Sequence, residues 1–205
     1  GDIVPATNCV VNYNGSASQT VVMNNNYVYY HLYLNNASVT LGAAVTATRV
    51  LGDIRVQSGT FNNGGRGIAG GSASQTFEVA NGTTFIVDGT TSAFPSIFTP
   101  LLGATSTVEY NGSGNQTIRD IPAPGYGHLI LSNAGTKTVA LAAHPEPAGL
   151  DIQGDFTLNS GITFNARAYV HNIAGNWYNN GAAVSGNNTI NFYGNTQSVS
   201  GTALN

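Results

Sequence analysis

The chain has 205 residues, of which only 7% are charged, against roughly 25% in an ordinary soluble domain, and 26 are glycine. With 41% apolar residues and a formal net charge of -3 it holds enough hydrophobic material for a core and too little charge for a disordered chain. Its six cations, Arg49, Arg55, Arg66, Arg119, Lys137 and Arg167, are scattered, which argues against a phosphate-neutralising surface and against nucleic acid as a partner.

A surface with so few ions must be built from Asn, Ser, Thr and Gly. Such side chains stack on identical neighbours without the repulsion that stacked like charges suffer. The single cysteine, Cys9, excludes an internal disulfide framework and a multi-cysteine zinc site, and reads as an idle thiol. No apolar run approaches the roughly 18 residues of a membrane span. Residues 1 to 20 lack the basic start and apolar centre of a signal peptide, so the expectation is a processed chain or an excerpt. The Asn-x-Ser/Thr triplets at Asn14, Asn36, Asn81, Asn111, Asn115 and Asn187 are read as composition rather than as glycan sites.

In chain order the first element is Val11-Asn-Tyr-Asn-Gly-Ser-Ala-Ser-Gln-Thr-Val21, two short strands about an Asn-Gly turn. Tyr29-Tyr-His-Leu-Tyr-Leu-Asn-Asn36 follows, with Leu32 and Leu34 at period two. Gly42 to Val50 is the nearest approach to a helix, but its β-branched Val45, Thr46, Thr48 and Val50 favour a strand. Leu51-Gly-Asp-Ile-Arg-Val-Gln-Ser-Gly59 resumes the alternation through Ile54 and Val56. The letters Gly-Ser-Ala-Ser-Gln-Thr of 15–20 recur at 71–76, a smaller echo inside the first stretch. Phe94-Pro-Ser-Ile-Phe-Thr-Pro-Leu-Leu102 predicts a loop leaving the wall, as does His144-Pro-Glu-Pro147 further on.

The opening then returns as Val108-Glu-Tyr-Asn-Gly-Ser-Gly-Asn-Gln-Thr-Ile118 at a shift of 97, with Tyr126-Gly-His-Leu-Ile-Leu-Ser-Asn133 matching 29–36 at the same shift. Gln153-Gly-Asp-Phe-Thr-Leu-Asn-Ser-Gly161 matches 51–59 at a shift of 102, and Ile190-Asn-Phe-Tyr-Gly-Asn-Thr-Gln-Ser-Val199 opens the pattern once more. The units predicted are about 10–106, about 107–188 and the start of a third at about 189–205, all within one solenoid spanning 1–205. Asn-Gly and Ser-Gly pairs punctuate the strands with residues that tolerate positive φ.

Segments in fixed order, all extended, predict an all-β parallel β-helix or β-solenoid of imperfect repeats with two Pro-bearing loop insertions. Coils of roughly 20 to 25 residues would give about eight to ten rungs. Equivalent strands of successive coils are expected to pair in parallel, shifted copies placing like residues over like.

The nine acids and four histidines are the candidate site residues. Asp53 and Asp155 occupy matching places after Gly52 and Gly154 and read as polar residues of the wall. Asp151 and Asp155, at i and i+4, lack a third ligand for a metal. His31 and His128 each precede a Leu-x-Leu or Leu-Ile-Leu core run, and alternation places them on the outer face beside Tyr29 and Tyr126. A metal needs ligands that meet, so no metal and no cofactor is expected. Tyr27, Tyr29 and Tyr33 share a parity with His31, opposite to Tyr30. The predicted contact surface is therefore Tyr27, Tyr29, His31, Tyr33, Tyr126 and His128, flat amphipathic area suited to carbohydrate or to a protein neighbour. No nucleophile elbow, phosphate loop or zinc-protease helix motif is present. Two carboxylates and a base are not expected to converge in an open groove. An ice- or crystal-binding face needs a regular rank of Thr-x-Thr on successive rungs, and Thr46-x-Thr48 and Thr105-x-Thr107 look too isolated to supply one.

The segments Thr189 to Gly201, Tyr126 to Asn133, Asp155 to Gly161 and Ile173-Ala-Gly-Asn-Trp-Tyr-Asn-Asn-Gly181 resemble the repeats of large secreted bacterial surface proteins, adhesin-type parallel β-helices with many tandem copies. The resemblance covers most of the chain, more closely after Ser106, and the Pro-bearing stretches depart from it. It implies an extracellular, non-catalytic structural or adhesive segment. Partners would be other copies or neighbouring repeats end to end, since neither end carries a capping element, with carbohydrate or cell-surface material as further candidates. The alternative is a polysaccharide-binding or polysaccharide-cleaving β-helix protein.

Overall fold

The computed structural model describes residues 6–24, 26–90, 93–140 and 149–202. Short β-branched and aromatic runs, cut by Asn and Gly, form strands throughout and no helix among these residues. Every strand pairing among them is parallel. The chain winds as a β-solenoid of about eight turns, and each coil lays one segment on each of three walls, here A, B and C.

Wall B is continuous from end to end. Its inward ladder runs Gln19, Val39, Phe61, Phe85, Val108, Leu129, Phe156, Trp177 and Val199, partners being 20 to 27 residues apart. Wall A comes just before it in every coil. It starts with Val10–Tyr13 and the first half of His31–Leu41, and ends with Asp151–Ile152, Val170–Ile173 and Thr189–Phe192. Wall C follows wall B and is most regular in Gln116–Ile118, Gly135–Val139, Ile162–Asn165 and Ala183–Ser185. Period-two alternation turns one residue in two inward, so Phe61, Phe77, Phe85, Phe156 and Phe164 are buried. Each such ring contributes about 1.5–3 kcal/mol by leaving water.

The 97-residue repeat and the coil do not share a period. On wall A the ladder climbs four coils through Val11, Leu32, Ile54, Phe77 and Pro100. Eight residues later Val108, the match of Val11, stands on wall B above Phe85. The second unit therefore repeats the first one wall further round the rod. Thr189–Phe192, the third appearance of the opening pattern, is back on wall A, paired with Val170–Ile173. Like stacks on like from coil to coil, as expected, but not from copy to copy.

The stretch from Phe94 to Leu102 does not leave the wall. Phe94 and Phe98 are buried against Phe77, at ring separations of 5.6 and 6.2 Å, and Thr99–Leu102 pairs with Thr76–Val79. Pro100 is tolerated there because the donors to the coil below are its neighbours in the alternation. Thr99 N–H reaches Gln75 O at 2.9 Å and Gly103 N–H reaches Val79 O at 2.9 Å. The other Pro-bearing stretch, around His144 and Pro147, lies outside the described residues.

The recurring Gly-x-x-x-Gln letters have a structural cause. Gln75 Oε1 accepts from Gly71 N–H at 2.6 Å and Ser72 N–H at 2.9 Å, while its Nε2 donates to Val50 O and Gly52 O of the coil below, at 2.9 and 3.0 Å. Gln116 and Gln197 repeat the arrangement, accepting from Gly112 and Gly194 and donating to Val87 O and to Ile173 O and Gly175 O. Each corner amide thus ties its own turn and staples it to the preceding coil.

Each such turn also offers acceptors to the coil above. Asn36 places its Nδ2 against Gly15 O, Ala17 O and Gln19 Oε1. In the second unit Lys137, fully buried, fills the same role, its Nζ donating to Gly112 O, Gly114 O and Gln116 Oε1 at 2.6, 3.2 and 2.7 Å. Burial pushes this ammonium down to about 8 from 10.5. The unfolded chain then holds the proton more tightly than the folded one between those values, so stability at this residue rises with pH through that window and is level below it. Denaturant titrations near pH 7.5 and pH 9.5 should show wild type gaining about 2 kcal/mol on Lys137→Met at the higher pH. An unchanged difference between the two proteins would count against this reading.

Candidate functional site

The outer face of wall A carries a grouping of charged, histidine and tyrosine side chains. The register stacks Asn12, Tyr33, Arg55, Glu78 and Leu101 in one outward ladder. Beside it stand His31 and Asp53, one coil apart. The Arg55 guanidinium lies over the Tyr33 ring at 5.2 Å and bridges Asp53 at 3.2 Å and Glu78 at 3.4 Å. Tyr30 meets the His31 ring edge-on at 4.9 Å, and His31 lies 6.1 Å from Tyr33.

Parallel stacking, which puts residues 23 positions apart side by side, brings two carboxylates, Asp53 and Glu78, onto one cation, Arg55. Each group has a partner. Burial works against the Asp53 charge, but the Thr76 N–H at 2.9 Å and Arg55 outweigh it and hold the carboxyl below its ordinary range. The His31 Nδ1 accepts the Asp53 N–H at 3.0 Å, which leaves the proton of the neutral ring on Nε2. These contacts link one coil to the next.

The second unit builds a related grouping on wall B. His128 Nδ1 accepts Asp155 N–H at 2.9 Å, and Asp155 Oδ1 accepts Asn176 N–H at 2.8 Å. Because the repeat has moved one wall round, Asp53 and Asp155 do not stack, and neither do His31 and His128. Asp151 is on wall A, accepting Asn172 Nδ2 at 2.7 Å, and does not meet Asp155. Among the described residues no group of three His, Cys, Asp or Glu side chains could hold a metal ion.

Tyr29 and Tyr126 are not on the outer face. Backbone bends at Tyr30 and Gly127 interrupt the alternation just before His31 and His128, so the preceding tyrosine turns inward and is buried. Tyr29 hydroxyl donates to Val22 O at 2.7 Å and meets Tyr13 hydroxyl at 3.0 Å, which accepts Val22 N–H at 3.3 Å. Tyr126 and Tyr110 clamp Arg119 in the same manner, with 2.6 Å to its carbonyl and 3.0 Å from its N–H. Burial pushes the Tyr110 phenol up to about 12 and the Tyr126 phenol well above its ordinary value. Tyr27 is partly buried against the core. Tyr33, His31 and His128 remain on the outside, and Tyr30, placed on the wrong side by strict alternation, joins them.

Gly52 and Gly154 are required by these histidines. A Cβ on Gly52 would come within 2.6 Å of His31 Nδ1 and 2.8 Å of Tyr30 O, and one on Gly154 within 2.6 Å of His128 Nδ1. Gly52→Ala and Gly154→Ala should each cost about 1–3 kcal/mol. In a double-mutant cycle His31→Ala should recover part of the Gly52→Ala loss, whereas additive losses would show that the ring is not the obstacle. No protein family, curated protein or solved structure matches this chain.

Proposed function

We propose that the chain is a non-catalytic structural or adhesive segment of a bacterial extracellular surface or fibre protein, in which solenoid coils continue end to end through neighbouring repeats or further copies. The observation that supports it most is how the outward ions of walls A and B are used. Asp53, Arg55, Glu78, Asp151 and Asp155 all join one coil to the next. The sequence-similar Val10–Tyr13 and Thr189–Phe192 share wall A, so the repeat comes back into phase with the coils along the rod. Carbohydrate or cell-surface material would meet the rod at Tyr30, His31 and Tyr33.

Two measurements test this. Incubation with a panel of plant and bacterial polysaccharides should release no new ends; cleavage abolished by Asp53→Asn would overturn the non-catalytic reading. Light scattering across a wide concentration range should show linear association, and a monomer at every concentration would remove the end-to-end part.

A further inference from the structure

The register assembles a surface that no stretch of sequence displays. On wall C the outward positions of four successive rungs form two ladders, Thr117–Thr138–Asn165–Ser185 and Thr136–Thr163–Ala183. On wall B the first unit builds the same pattern, Thr20–Thr40–Asn62 beside Ser38–Thr60–Thr84–Thr107. The two patches correspond through the repeat: Thr60-Phe-Asn62 answers to Thr163-Phe-Asn165, and Ser38-Val-Thr40 to Thr136-Lys-Thr138. Thr-x-Thr ranks therefore exist, composed of residues about one coil apart.

Three properties define what such a face can bind. The backbone sets the grid, about 4.8 Å between rungs and about 6.6 Å between residues i and i+2. Among the described residues none of these Thr and Ser hydroxyls has a hydrogen-bond partner within the protein, and each of these residues is exposed or partly exposed. The wall C ladders contain no charged and no aromatic side chain, Lys137 pointing inward. A sugar-binding face would need rings for stacking or converging polar groups in a concavity, and neither is in these ladders. Rows of alternating methyl and hydroxyl groups, without strongly hydrated ions to disturb neighbouring water, instead suit a regular lattice of water oxygens.

We propose that the hydroxyl ranks of walls C and B bind the surface of ice. Each patch is a small rigid plane held by the coil-to-coil ladder, and it acts through many equivalent weak contacts. Adsorption there blocks growth of the crystal plane it covers.

The test uses the whole chain, fluorescently labelled, in ice-affinity partition and in recrystallisation assays. Wild type should enter growing ice and keep crystals small. Thr138→Tyr with Thr163→Tyr on wall C, and Thr40→Tyr with Thr60→Tyr on wall B, should each weaken this, and the four together should abolish it. Asn172→Tyr on wall A should leave it intact, with circular dichroism and melting confirming that each variant is folded. Wild type excluded from ice overturns the proposal, as does full activity in the fourfold variant. Binding to crystalline cellulose or chitin without ice activity would assign the ranks to a polysaccharide lattice and equally overturn it.

Discussion

Gln75→Leu is expected to cost about 3–5 kcal/mol, close to the limit for a single substitution. The side chain is 6% exposed, and its amide serves four backbone groups: two N–H donors of its own turn and two carbonyls of the coil below. Leu fills the space but answers none of them, and each buried group left unpaired costs about 1–3 kcal/mol before relaxation. Gln75→Glu separates the two halves of the role, since the carboxylate still accepts from Gly71 and Ser72 but faces Val50 O and Gly52 O without a donor. Equilibrium denaturation should rank wild type above both variants. A Leu variant within about 1 kcal/mol of wild type would mean that the corner closes without its amide.

The second large effect is expected at Phe156. Its ring meets Trp177 at 5.2 Å and Phe164 at 5.3 Å, both edge-on, and it sits at mid-height in the later part of the wall B ladder. Phe156→Ala removes the ring from between the two and leaves a cavity that stacked strands collapse into poorly, so a loss of about 3–5 kcal/mol is expected. Solenoid coils depend on their nearest neighbours, so the loss should localise. Hydrogen exchange should speed up in Phe156–Leu158 and Trp177–Asn179 while His31–Leu41 is little changed. Uniform acceleration along the chain would show that the rod unfolds as one cooperative block.

The strands were legible because Leu32 and Leu34, Ile54 and Val56, and Phe156 and Leu158 alternate with polar residues, and the parallel stacking followed from the repeats. Three features were hidden for physical reasons. Inside-outside alternation holds only between corners, so bends at Tyr30 and Gly127 sent Tyr29 and Tyr126 into the core. Proline signals a break only where its missing N–H is needed, and at Pro100 it is not. The copy-to-copy phase requires the coil length, which varies from 20 to 27 residues along wall B and cannot be read from a shift of 97. The outward placement of His31, Tyr33 and His128 was legible from alternation. The Arg55 bridge and the hydroxyl ranks were not, since their members meet only across coils.

Disulfide trapping tests the stacking most directly. Outward ladder neighbours on parallel strands lie within reach of a disulfide, with Cα atoms about 4.8 Å apart. In a Cys9→Ser background, Thr84→Cys with Thr107→Cys on wall B and Thr138→Cys with Asn165→Cys on wall C should each close on mild oxidation. Asn12→Cys with Glu109→Cys, equivalent in the repeat but four coils and one wall apart, should stay reduced. Closure of the last pair, or failure of the first two in folded protein, would contradict the three-walled solenoid and the phase of its repeat.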